Sequence, residues 1–78
     1  MNNYIATFYS HFGALSFCKE LKSLEIDTDL SPVPRSLSTS CGICVRFSAD
    51  KWEYARDAFE LEAIYLDKEE EYCQLYSS

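Results

Sequence analysis

Short stretches of strand-like alternation flank one segment of helical periodicity near the start of this chain. Tyr4-Ile-Ala-Thr-Phe-Tyr9 is rich in β-branched and aromatic residues and reads as a strand. Ser10 stands where a helix N-cap belongs. From Phe12 to Glu25 apolar residues recur at helical spacing, with Ala14, Cys18, Leu21 and Leu24 on one stripe that Phe17 and Leu15 widen. Lys19, Glu20, Lys22 and Glu25 take the wetter side.

Asp27 to Pro34 is a second extended segment, with Leu30 and Val33 as its apolar members. Pro32 and Pro34 each lack an N–H, which predicts an edge position for this strand. A loop from Pro34 to Gly42 follows. Ile43-Cys-Val-Arg-Phe47 then alternates, so Ile43, Val45 and Phe47 share one face and Cys44 and Arg46 the other. Asp50 and Glu53 have capping-box spacing ahead of Trp52, Ala55, Ala58 and Phe59, which predicts a second helix. Ala63-Ile-Tyr-Leu66 reads as a last short strand. The tail, residues 67–78, opens acidic and ends Tyr72-Cys-Gln-Leu-Tyr76, compatible with a short helix, a docked strand or a frayed end.

The order β-α-β-β-α-β predicts an α+β, ferredoxin-like fold: a four-stranded antiparallel sheet with two helices on one face. Seventy-eight residues make a single domain, 1–78, with a modest core, and 47% hydrophobic content argues against disorder. In this arrangement Cys41 lies at the tip of the central hairpin, exposed and away from the core. The sheet face without helices is then available to a partner or to a second copy.

Charge separates one stretch from the rest. The chain carries −6 overall, whereas residues 32–48 hold Arg35 and Arg46 and no acid, leaving −8 on the remainder. An acidic surface disfavours nucleic acid and anionic membrane, because phosphate binding rests on Lys and Arg. The basic island suits one small anion or a thiolate, or else two arginines simply flank a hairpin. Met1-Asn-Asn-Tyr4 lacks the basic and apolar regions of a signal peptide, and no apolar run has membrane-spanning length. The expected location is therefore cytoplasmic, and the four cysteines are expected as free thiols.

Cys41 is the candidate reactive group. Ser38, Thr39 and Ser40 precede it, and their hydroxyls and amides are candidate donors to a sulfur anion. Gly42 permits the positive φ of a tight turn, and Arg35 and Arg46 lie on the two arms. The alternative is an ordinary cysteine in a Ser-rich turn. Cys41-Gly-Ile-Cys44 has Cys-x-x-Cys spacing, but it leads into a strand rather than opening a helix, so a thioredoxin-type site is disfavoured. Cys44 remains a candidate resolving thiol if its Cα lies close enough for a disulfide. His11 reads as a polar residue at a helix start, or as a proton acceptor beside Cys41. No metal site and no cofactor are expected: the cysteine pair has no second pair to complete four ligands. Cys18 reads as core and Cys73 as a tail residue.

Pro32-Val-Pro-Arg35, Ser38 and Ser40-Cys-Gly42, with Ser10-His11 ahead of a helix, resemble the motif of a family of small bacterial selenium/sulfur carrier-like proteins. The resemblance runs from about Tyr4 to Leu66. It implies a carrier of reactive sulfur or selenium, with Cys41 matching the motif cysteine and holding a persulfide or selenium adduct, and with donor and acceptor proteins as partners. Cys44 departs from the small apolar residue usual there. An interaction or regulatory domain without chemistry and a Cys41/Cys44 redox switch remain the rival readings, since fold alone does not settle function.

Overall fold

Residues Asn2–Phe8 form β1, and Ser10 ends the connection that follows by capping a helix, α1, over His11–Ser23. The Ser10 side chain accepts a 3.1 Å hydrogen bond from the Gly13 amide, satisfying one of the donors that a helix start leaves open. β2 spans Thr28–Pro32, β3 Ile43–Ala49, β4 Leu61–Lys68 and β5 Glu71–Ser77. A 3-10 helix over Glu53–Asp57 joins β3 to β4. The structure, a computed structural model, describes residues 1–37, 39–69 and 71–78, and of Tyr54 the backbone.

The five strands make one antiparallel sheet in the order β2-β3-β1-β4-β5. The expected ferredoxin-like architecture is therefore corrected on two counts: among the described residues one α-helix stands where two were expected, and five strands where four were. The second helix fails for a geometric reason. The chain leaves β3 beside Asn2 and must enter β4 beside Phe8. That return runs six residues along β1 and crosses two strand spacings, about 22 Å in all. The eleven residues 50–60 span only about 16 Å as an α-helix. A short, more extended 3-10 turn with extended flanks covers the gap. Asp50 makes no cap, and Glu53 instead accepts from the Trp52 amide at 3.1 Å.

The fifth strand comes from the tail. Lys68 pairs with Glu71, and Glu69 adopts φ 48°, so a tight hairpin folds the Tyr72–Tyr76 stretch back onto β4. Trp52 meets Tyr76 there, with ring centroids 6.4 Å apart.

The core lies between α1 and one sheet face. Ala14, Phe17, Cys18 and Leu21 of the helix pack on Tyr4, Ala6 and Phe8 of β1, Val45 and Phe47 of β3, and Ile64 of β4. Phe17 meets Phe47 edge-on at 5.6 Å and Phe8 at 5.5 Å. Leu15 and Leu24, expected on the buried stripe, are exposed instead. The other sheet face carries no helix among the described residues. Ile5, Thr7 and Cys44 on it are nevertheless fully buried. Ile5 is flanked by its pairing partners Arg46 and Tyr65. The Arg46 side chain on β3 donates to Ser31 Oγ on β2 at 2.9 Å and, past β1, to Asp67 Oδ2 on β4 at 3.3 Å.

Candidate functional site

The β2–β3 connection folds back toward the start of α1 and the start of β4, and Cys41 sits in that corner. Its residue is half-buried and packs against the core cluster. The expectation of a cysteine exposed at a hairpin tip, away from the core, is thus corrected. Gly42 has φ 79°, the left-handed turn that glycine adopts without strain, and its carbonyl accepts from the Val33 amide at 3.2 Å. That bond closes the neck of the loop.

Two side chains from elsewhere in the fold hold the loop. His11, the first residue of α1, places Nε2 2.8 Å from the Cys41 carbonyl oxygen. A carbonyl only accepts, so Nε2 carries the proton and donates. His11 thereby grips the backbone of Cys41. Glu62 holds the other side: its carboxylate accepts from the Thr39 hydroxyl at 2.8 Å, the Ser40 amide at 3.3 Å and the Ser40 hydroxyl at 3.1 Å. Thr39 Oγ1 also lies 3.5 Å from the Phe8 carbonyl oxygen. The Cys41 thiol points its S–H toward the Ile43 carbonyl at 3.4 Å.

This arrangement redistributes the residues named from sequence. Ser40 and Gly42 flank Cys41 as expected, but the Ser40 and Thr39 hydroxyls are directed at Glu62. Ser38 lies outside the described residues. Arg35 is exposed, and it forms no ion pair among the described residues. Arg46 lies on the face of Cys44, engaged with Ser31 and Asp67. Cys44 is fully buried, with Ser31 Oγ at 3.5 Å and the Pro32 carbonyl at 3.8 Å. Burial pushes its thiol above the ordinary value; the Ser31 hydrogen bond and the Arg46 charge pull it partly back, and the neighbouring Cys41 adds to the rise. Cys18 is 4% exposed in the core, whereas Cys73 is exposed on β5.

Glu62 is the residue sequence reading missed. Along the chain the loop is free of acids, and the carboxylate arrives only through tertiary structure. Among the described residues no three His, Cys, Asp or Glu side chains converge to hold a metal ion, and no helix is long and apolar enough to cross a membrane. A cavity of about 230 Å³ lies at the opposite end of the sheet, lined in part by Asn3, Asp27, Asp29, Arg46 and Asp67. It does not coincide with the thiol.

A family model described as "Putative Se/S carrier protein-like" matches residues 3–73, a span that includes Cys41, His11 and Glu62. No curated protein and no solved structure matches the chain.

Proposed function

The chain belongs to the Se/S carrier-like family, and from that premise we propose that it carries the reactive sulfur or selenium as a covalent adduct on Cys41. Family membership supports the general carrier role. The observation that carries the finer reading is a half-buried Cys41 on a backbone held by His11, Glu62 and the Val33–Gly42 bond. A carrier must present one thiol in a reproducible place while leaving it reachable. Cys18 and Cys44 are too deeply buried for that, and exposed Cys73 has no such loop around it.

The exchange is electronically simple. The Cys41 thiolate attacks the outer sulfur of a donor protein's cysteine persulfide. A bond forms between the Cys41 sulfur and that outer atom, the donor's S–S bond breaks, and its electron pair returns to the donor cysteine as thiolate. Discharge repeats the step in the other direction, an acceptor thiolate taking the outer atom from Cys41. No net oxidation occurs, and selenium in the outer position follows the same course. Cargo held by a covalent bond needs no enclosing pocket, which accords with the distance between the cavity and the thiol. Arg35 is the exposed cation on the incoming arm and favours the anionic adduct. Donor and acceptor are proteins in this reading, and the helix-free sheet face offers them, or a second copy, a surface. Labile thiol exchange suits a reducing compartment such as the cytoplasm.

Incubation with a cysteine desulfurase and cysteine, followed by intact-mass and peptide mapping, tests this. The expected product bears one additional sulfur on Cys41, removable by a thiol reductant and lost in Cys41→Ser. Absence of the adduct, or equal labelling of Cys73, overturns the assignment.

A further inference from the structure

We infer that Glu62 is a positioning residue for the carrier thiol, acting through the two residues that precede it. The argument begins with β4. Thr7 pairs with Ala63, but Phe8 pairs with Leu61, so Glu62 is the extra residue of a β-bulge. A bulge re-aims the side chain of the added residue, and bulges recur beside functional sites for that reason. Here the re-aimed group is a carboxylate, and it meets three donors of the Cys41 loop at once. A carboxylate accepting several such bonds is among the stronger local restraints a protein has. The bulge is itself tied down, since the Glu62 carbonyl accepts from the Ser78 amide at 3.0 Å.

Three surface donors make a costly arrangement for stability alone, because Thr39 and Ser40 lie on an irregular loop whose ordering opposes folding. The clamp serves instead to fix the Cα of Cys41. With His11 on the following carbonyl, Cys41 is held from both flanks, and its sulfur meets a donor protein in one pose. This inference rests on the carrier reading, since it assigns the clamp's benefit to exchange with a protein partner.

The test uses the full chain in a Cys73→Ser background, which removes the exposed competitor thiol. Three variants are compared with that parent: Glu62→Gln, Glu62→Asp and Thr39→Val. Loading by a cysteine desulfurase with cysteine is measured beside alkylation by iodoacetamide, site by site. Misplacing a reacting group reduces rate steeply, so loading of Glu62→Gln is expected to fall about tenfold or more. Alkylation of Cys41 by the small reagent is expected to stay level or rise, because that reagent accepts any pose. Cys18 and Cys44 should stay as protected as in the parent, and the Ser40 amide should exchange hydrogen faster. Thr39→Val, which removes the hydroxyl that donates to Glu62 and lies beside the Phe8 carbonyl, should shift loading in the same direction.

Glu62→Asp separates placement from charge. It keeps the carboxylate and withdraws it by one methylene, so it should resemble Glu62→Gln. Parent-like loading in Glu62→Asp, unchanged loading in Glu62→Gln, or loss of loading accompanied by alkylation of Cys18 would each overturn the inference, the last by revealing general loosening. If the parent takes no adduct, the carrier reading fails with it, while Ser40 exchange and Cys41 alkylation still report whether Glu62 orders the loop.

Discussion

Replacing Gly13 with alanine probes how closely the start of α1 is set against the turn that enters β4. Helix propensity alone predicts a gain of about 1 kcal/mol for glycine to alanine inside a helix. The structure reverses that sign. An added Cβ would stand 2.8 Å from Glu60 Cβ, 2.8 Å from the Phe59 carbonyl oxygen and 3.3 Å from a Phe8 ring carbon. The first two distances are shorter than real Cβ contacts. The oxygen belongs to backbone that cannot swing aside, because the adjoining Glu60 carbonyl accepts from the Tyr9 amide at 2.8 Å and Glu60 itself sits at φ 61°. Overpacking of this kind costs about 1–3 kcal/mol. Two forbidden contacts against a tethered turn put the cost at the upper end, leaving Gly13→Ala destabilised by about 1–2 kcal/mol after the propensity gain.

For a domain this small, each kcal/mol moves the melting temperature by about 4–8 °C. Gly13→Ala is therefore expected to melt about 5–15 °C below the parent when followed by far-UV circular dichroism. His11 lies two residues earlier on the same helix start, so displacement of that start also weakens its grip on the Cys41 carbonyl. Faster Cys41 alkylation should accompany the lower melting temperature. A variant that melts higher than the parent, with Cys41 alkylated at the parental rate, would refute the reasoning. It would mean that the helix slides freely and that His11 holds the loop only incidentally.

Burial raises the Cys44 thiol, so above its ordinary value of 9.0 the unfolded chain ionises this group while the folded chain does not. Its contribution is fully present below that pH and is lost as pH rises through and beyond it, at up to about 1.4 kcal/mol per pH unit. Urea titrations from pH 7 to 10 should show Cys44→Ala less stable at neutral pH but flatter on the alkaline side; parallel curves would contradict the burial argument. Arg46→Gln should cost about 1 kcal/mol of stability by removing the partner of Asp67. It should change Cys41 loading less than twofold, since the guanidinium is engaged on the Cys44 face. Lost loading at intact stability would show that Arg46 swings to the carrier loop.

Local signals carried much of the fold. The Ser10 cap, the Ala14–Phe17–Cys18–Leu21 stripe and the alternation of Ile43 to Phe47 all correspond to observed elements, because each depends on neighbours within one turn or one strand. The failures arose where distance decided. Asp50 and Glu53 had the spacing of a capping box, yet the gap to β4 left too little chain for an α-helix. The β4–β5 hairpin turns through Glu69 in a left-handed conformation, without the Asn-Gly or Asp-Gly pair that usually marks such a turn. An acidic run concealed it, and the tail's strand-forming residues were left without a visible reason to return.

The same distinction governs the site. The turn at Gly42 was legible because the need for positive φ is written at a single position, and Cys41 was a candidate from sequence because it is a thiol. Their surroundings were not. Reading the loop as acid-free suggested that serine and threonine hydroxyls gather around a sulfur anion. The fold brings Glu62 to those hydroxyls, and their protons are directed to a carboxylate. Two residues that looked like anion donors are instead structural anchors, and the thiol's own hydrogen-bond partner is the Ile43 carbonyl. In the proposed carrier role, exchange at Cys41 would depend less on a ready-made anion cradle than on where the sulfur is held. A thiol held in one place then meets a docked donor in a reproducible pose, an advantage that a small reagent does not share.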